Sequence, residues 1–157
     1  MRREDFTLTV SHVKWVSTGG APEQPHVRID CHGADTQLVN RLTGSDNELL
    51  TNEETDVAFR LHDPIDDENP AGVVSVTNRI TGSFILELNE FVEDVLQFIQ
   101  ATREYGASTE NGDGTYQVEI FVDDEPLVTY EKSTFLIYDP DGNLLRSQSL
   151  IPSGIEL

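Results

Sequence analysis

The pattern of apolar positions changes its period once, within the stretch Phe84 to Gly106. From Phe84 to Leu88 apolar side chains stand at every second position, which is the period of a strand with one buried face. The next apolar positions recur every three or four residues: Phe91, Val92, Val95, Leu96, Phe98 and Ile99. Such a stripe is typical of an amphipathic helix. We predict a helix over about residues 90–105.

The residues at both ends of this stretch favour those helix bounds. Asn89 suits the N-cap, because its side-chain oxygen can accept a hydrogen bond from a free amide of the first turn. Acidic side chains follow it in the first turn, where they complement the helix dipole. Gly106 is a typical stop signal. The broad apolar stripe requires an apolar surface opposite, so the helix is predicted to cover a sheet.

Alternating or β-rich segments account for most of the remaining chain, and short links join most of them. They are Phe6–Val13, His26–Cys31, Thr55–Leu61, Gly72–Arg79, Ser83–Leu88, Tyr116–Val122, Leu127–Tyr138, with a bend near Lys132, and Leu144–Leu150. Short links favour antiparallel neighbours, and eight strands are too many for one flat sheet. We therefore predict a mainly β (α+β) fold, a two-layer and mostly antiparallel β-sandwich or β-roll.

In this fold the helix covers an exposed face or closes an open end. If the strands on its two sides were parallel neighbours in one sheet, it would instead be a right-handed crossover. A second, shorter helix is predicted within residues 34–42. The length of 157 residues predicts one globular domain over residues 1–157.

The net charge of the chain limits which kinds of partner it is expected to bind. The chain carries 29 acidic and 10 basic residues, a formal charge of −19, and the acids are scattered along it without forming a block. Scattered acids are typical of the solvated faces of folded elements. Such a surface repels phosphates and anionic lipids, so we predict no nucleic-acid and no membrane partner. It also holds hydrated cations without a specific site.

Three segments, MRREDFTLTV, TDVAFRL with AGVVSVTNRITG, and FLIYDPDGNLLRSQSLIPSGIEL, resemble a family of small acidic haloarchaeal proteins that is itself uncharacterised. The resemblance spans nearly the whole chain. It implies a cytoplasmic halophilic protein, and it carries over no activity.

Signals for export or membrane insertion are missing from the pattern. Arg2 and Arg3 are followed by acids and by no apolar run of signal-peptide length. No apolar run approaches the ~18 residues of a membrane span. Cys31 is the single cysteine, so it forms no internal disulfide. We predict a soluble, cytoplasmic protein.

Motifs for metal binding and catalysis are also missing, so we predict no metal site, no cofactor and no catalytic residue. The soft ligands are Cys31 and four histidines, His12, His26, His32 and His62, and their spacing is not that of a zinc site. The acidic loop Asp63–Pro70 gathers oxygen ligands, for which loosely held hydrated cations are the simplest interpretation. Asp139–Asn143 starts like a calcium loop, but a tight turn explains its Pro and Gly. No nucleophile elbow, phosphate loop or dinucleotide fingerprint occurs.

The leading hypothesis is a non-enzymatic protein-interaction or structural module whose partner is another protein or a copy of itself. Most aromatics fall in the buried phase of their elements and predict a core: Phe59, Phe84, Phe91, Phe98, Tyr116 and Phe135. Trp15 and Phe121 do not fit that phase and are the predicted interface residues. The alternative is a small-ligand binder or enzyme with a pocket between the helix and the sheet. A nucleic-acid role would need a cluster of Arg28, Arg41 and Arg60.

Overall fold

The computed structural model describes residues 3–33, 35–109 and 114–152, which form two four-stranded sheets and one long helix. The strands are β1 (Phe6–Ser11), β2 (His26–Cys31), β3 (Thr55–Leu61), β4 (Ala71–Asn78), β5 (Phe84–Phe91), β6 (Tyr116–Val122), β7 (Glu125–Lys132) and β8 (Leu136–Tyr138). The helices are α1 (Trp15–Thr18), α2 (Asp35–Arg41) and α3 (Val92–Ala107). The predicted mainly β fold, with about eight strands and one long helix, is confirmed.

Sheet I has the strand order β1-β2-β6-β7, and sheet II has the order β5-β4-β3-β8. Four of the six strand pairs are antiparallel. The pairs β2 with β6 and β3 with β8 are parallel. Strands β5 and β6 lie in different sheets, so the crossover alternative is wrong. Helix α3 leads from one sheet to the other.

The inward faces of the two sheets share one apolar core. Alternate residues of each central strand are buried: Val27, Ile29 and Cys31 in β2, Tyr116, Val118 and Ile120 in β6, Val57, Phe59 and Leu61 in β3, and Val74 and Val76 in β4. Helix α3 packs over the opening between the sheets. The Phe98 ring meets the Tyr116 ring edge-on, with centroids 5.0 Å apart, and lies 6.2 Å from the Phe135 ring.

Strand β5 passes directly into α3, so the predicted helix start at residue 90 is two residues early. Glu90 and Phe91 still pair with Gly72 and Ala71 of β4. The next amide, that of Val92, donates to the carbonyl oxygen of Pro70 at 2.9 Å. Strand pairing therefore overrides the capping preference of the Asn that precedes Glu90. At the other end, Gly106 is buried within the helix, and residue 108 is the C-cap.

The segment after β7 departs from the sequence prediction. Leu127–Tyr138 is bent where predicted, but its two halves, β7 and β8, belong to different sheets. The predicted last strand, Leu144–Leu150, is wrong, since only isolated bridges and a 3-10 turn occur there. The Ser149 hydroxyl accepts the amide of Ile137 at 2.9 Å and donates to the carbonyl of Leu145 at 2.8 Å. A side chain thus replaces a ladder hydrogen bond.

Two local predictions agree with the structure. The β4–β5 hairpin turns at residues 80–82, where Gly82 has φ of 77°. The Asp139 turn is closed by its own carboxylate, which accepts the amides of Asp141 at 2.9 Å and Asn143 at 2.8 Å. These hydrogen bonds lower the pKa of the Asp139 carboxyl, and the bond from the Asn143 amide has the largest effect.

Candidate binding groove

The space between α3 and the sheets is nearly filled. Its cavity has a volume of about 40 Å³ and is lined by apolar side chains apart from Glu90 and Asp94. That volume accommodates a water molecule or two. A ligand pocket is typically about 300–1,000 Å³. The contact is therefore core packing, which counts against a pocket between helix and sheet.

The two carboxylates at the edge of this cavity interact with each other. Burial raises the pKa of Glu90, and a hydrogen bond with Asp94 raises it further, while the amide of Phe91 lowers it. Both acids also border a shallower depression of about 260 Å³ beside Leu8 and Val10. Among the described residues, no group of three or more His, Cys, Asp or Glu side chains converges to hold a metal ion.

A larger concave surface lies on the outer face of sheet II, with a volume of about 610 Å³. We call it the sheet II groove. The side chains that define it are Arg3, Ala58, Arg60, His62, Val73, Ser75, Phe84, Glu87 and Tyr138. Its volume is in the range of known binding sites.

The strand register gives the groove a low floor and high walls. Ala58 pairs with Ser75, and Ser75 pairs with Glu87, so short side chains occupy the middle of one row. In the next row Arg60 stands between Tyr138 and Val73. Because alternate residues of a strand point to one face, the sequence Ala58-x-Arg60-x-His62 places all three on this side of the sheet.

One wall of the groove is tied to the N-terminal segment. Arg3 forms an ion pair with Glu87 at 3.2 Å and contacts the amide oxygen of Asn89 at 3.5 Å. The opposite wall contains Arg60, whose guanidinium donates to the carbonyl oxygen of Pro140 at 2.9 Å. The turn closed by the Asp139 carboxylate thus fixes one end of Arg60.

Several polar groups in the groove have no partner within the described part of the chain. Among the described residues Arg60 has no carboxylate within ion-pair distance, and its contact with the Pro140 carbonyl uses one of its five N–H donors. The side chains of His62, Ser75 and Tyr138 form no hydrogen bond to described residues. These groups are left to water or to a ligand.

The outer face of sheet I is different, because its arginine is paired with carboxylates. Arg28 pairs with Asp30 at 2.9 Å and lies 3.6 Å from Asp124. His26 lies 3.4 Å from Glu119. The guanidinium on this face is therefore already engaged, in contrast to that of Arg60 within the described residues.

The predicted interface residues, Trp15 and Phe121, lie at opposite ends of sheet I. Phe121 is half-buried on the outer face, with the guanidinium of Arg28 3.6 Å from its ring centre. Trp15 begins α1, and its indole N–H donates to the carbonyl of His12. Neither residue lines the sheet II groove.

The three arginines of the nucleic-acid alternative are also distributed over different elements. Arg28 lies on the outer face of sheet I and Arg60 on that of sheet II. Arg41 in α2 donates to the carbonyl of Ile85 at 3.3 Å. The structure does not bring them into one cluster.

Phe84 and Phe91 were predicted to be buried, and both are exposed, at 55% and 47%. The register of β5 against β4 shifts between Val76 and Thr77. This bulge places Phe84 on the outer face with Glu87, because one extra residue reverses the alternation. Exposed Phe91 sits at the junction of strand and helix. The apolar pattern alone gives no sign of the bulge, so the aromatic wall of the groove was missed.

The comparison with known families gives one finding: a family profile described as "Family of unknown function (DUF5793)" matches residues 1–157. The chain belongs to DUF5793. No curated protein and no solved structure matches it. Within the residues described for this DUF5793 member, no helix is long and apolar enough to cross a membrane.

Proposed function

We propose that this DUF5793 chain is a non-enzymatic protein-interaction module that binds a partner protein through the sheet II groove. The unpartnered polar groups on its walls carry the proposal. On sheet I the guanidinium of Arg28 pairs with carboxylates, whereas that of Arg60 pairs with none among the described residues, so free donors beside an exposed aromatic favour recognition of a partner. The groove lies on the outer face of sheet II, where a protein segment can reach it.

The alternative, a small-ligand binder or enzyme with a pocket under α3, has less support. The cavity there is about 40 Å³ and almost wholly apolar. This volume is too small for a substrate, and the two carboxylates otherwise border only the depression of about 260 Å³ among the described spaces. A copy of the same chain remains an acceptable partner for the groove, and light scattering in about molar KCl distinguishes it from a foreign protein.

Filling the groove floor tests the proposal. We expect Ala58→Trp to abolish partner capture, because a bulky neutral side chain would cover the floor between Leu136 and Ser75. Ala58 is half-exposed and points outward, so the new side chain can reach water without disturbing the core. The measurement is quantitative comparison of proteins cross-linked to wild type and variant in extract of the source cells at about molar KCl, together with the mass of each purified protein.

Thr129→Trp is the matched control, since it adds the same bulk at an exposed position of β7 in sheet I. A partner, or a dimer, retained by wild type and by Thr129→Trp but lost by Ala58→Trp supports the groove. Identical partners and masses for all three proteins would exclude it.

We further propose that the protein is halophilic and works in the cytoplasm of a salt-loving archaeon. The formal charge of −19 supports this, since close carboxylates repel one another unless salt screens them. The free energy of unfolding should therefore rise as KCl increases over the molar range, measured by chemical denaturation.

A variant with fewer acids isolates the charge effect from other effects of salt. Changing Asp66→Asn, Asp67→Asn and Glu68→Gln in the exposed β3–β4 loop removes three negative charges without touching the core. Its stability should depend less steeply on KCl than that of the wild type. A flat profile for the wild type would contradict the halophilic proposal.

A further inference from the structure

We propose that the segment bound in the sheet II groove is an extended acidic peptide of the partner, with one carboxylate on Arg60 and one apolar side chain on Phe84. This inference rests on the proposed function and specifies the chemistry of the partner.

Arg60 is the anchor for the carboxylate. Its guanidinium is held at one end by the carbonyl of Pro140, which leaves further N–H donors free in a fixed plane. A planar guanidinium pairs with a carboxylate through two parallel hydrogen bonds. Tyr138 is the register neighbour of Arg60 on β8, and its hydroxyl lines the same wall. His62 follows on the same face of β3 and adds another ring N–H.

Charge complementarity favours an acidic segment of the partner over a basic one. Among the described side chains that line the groove, Glu87 is the single carboxylate, and Arg3 neutralises it at 3.2 Å. The lining therefore carries a positive excess at Arg60 on a chain whose formal charge is −19. An acidic segment finds here an arginine that no carboxylate of the described residues engages.

Phe84 supplies the second contact. It is 55% exposed and stands on β5, two strands away from Arg60 on β3. The register also offsets them along the strands, because Arg60 lies in the row of Val73 whereas Phe84 lies in the row of Thr77, four residues away. With about 4.8 Å between neighbouring strands and about 3.3 Å per residue along them, the two anchors are about 16 Å apart on the diagonal. Four residues of extended chain span about 13 Å, and the long Glu and Arg60 side chains cover the remainder. A Glu-x-x-x-Leu segment, whose two anchor side chains point to the same face, crosses the sheet over Ser75 and reaches both anchors.

A short peptide tests this chemistry directly. The probe is acetyl-Gly-Glu-Gly-Gly-Gly-Leu-Gly-amide, titrated into isotopically labelled protein at about molar KCl and followed by amide chemical shifts. We expect shifts confined to sheet II and binding about five-fold weaker when Gln replaces Glu in the peptide. Arg60→Gln should remove this preference for Glu. Arg28→Gln, which removes the same charge from the outer face of sheet I, should retain it.

Three results would overturn the inference: equal affinity for the Glu and Gln peptides, equal loss of affinity in Arg28→Gln and Arg60→Gln, or displacement of the peptide by equimolar inorganic phosphate. The last result would identify a general anion site. If Ala58→Trp still loses its partner while the peptides are not distinguished, the proposed function stands and the acidic specificity falls. If Ala58→Trp keeps its partners, the proposed function itself falls.

Discussion

Replacing Phe98 with alanine is expected to lower the free energy of unfolding by about 3–5 kcal/mol, the usual cost of removing a buried aromatic ring. Phe98 is 4% exposed and lies against the rings of Tyr116 and Phe135. It also borders both the cavity under α3 and the shallow depression beside β1. Its removal would join the two spaces and admit water to the core. Chemical denaturation at about molar KCl measures the loss.

Phe84→Ala is the matched control, because it deletes the same ring from an exposed position. Its effect on stability should be within about 0.5 kcal/mol, as for most surface substitutions. Equal destabilisation by the two variants would mean that the contacts of Phe98 with Tyr116 and Phe135 do not stabilise the core as argued. The control also bears on the groove: Phe84→Ala should weaken partner capture at unchanged stability.

The second large effect concerns Lys132, which is buried between the two sheets with 7% exposure. Its ammonium donates to the carbonyl oxygens of Asn52 and Thr55 at the start of β3. Burial lowers the pKa of Lys132 to about 8, and the charge of Arg79 acts in the same direction, against Asp56 and Glu53. The folded protein therefore binds this proton less tightly than the unfolded chain does.

The sign of the pH dependence follows from that difference. Below pH 8 both states hold the proton, and the folded state bears the cost of a buried charge. Between pH 8 and about 10.5 the unfolded chain holds more protons, so stability rises with pH. One pKa unit corresponds to about 1.4 kcal/mol. After a discount for solvent screening, we expect a gain of about 2 kcal/mol between pH 7 and 10 from this group.

Lys132→Met should abolish this gain, and Lys14→Met, the same change at the exposed lysine, should preserve it. The measurement is the difference between the pH profiles of unfolding free energy, which cancels groups common to all three proteins. Above pH 10 the slope should reverse, because burial raises the pKa of Tyr116 and, to about 12, that of Tyr130. Parallel profiles for wild type and Lys132→Met would contradict the assignment.

Local patterns predicted most of the strands because each central strand has one buried face. The alternation reproduces the observed burial throughout Thr55–Leu61, and in Tyr116–Val122 as far as Ile120. The prediction failed where a local pattern competes with a distant partner. The hydroxyl of Ser149 takes the amide of Ile137, and this contact between distant residues ends a segment that alternates well enough to be a strand.

The groove could not be predicted from the sequence, because it too depends on contacts between residues far apart in the chain. Arg60 and His62 occupy ordinary outward positions of β3, and only the register of sheet II places Tyr138 beside them. The bulge that turns Phe84 outward depends on how β5 pairs with β4. Conversely, Phe121 was predicted to be an interface residue because it is an outward aromatic, and the structure places the guanidinium of Arg28 over its ring. A single sequence shows which side chains point outward but not which of them meet.

Because β5 passes directly into α3, the register of β5 against β4 and the rotation of α3 about its axis are coupled. A loop between the two elements would make them independent. Each residue advances a helix by about 100°, since a turn contains 3.6 residues. Deleting one residue between Leu88 and Val92 would therefore rotate the apolar stripe of α3 away from the core unless β5 slipped against β4. Such a slip would move Glu87 and Phe84 to the opposite face. Length changes at this junction thus act on the core and on the groove together, and relatives of this chain are expected to vary in length elsewhere.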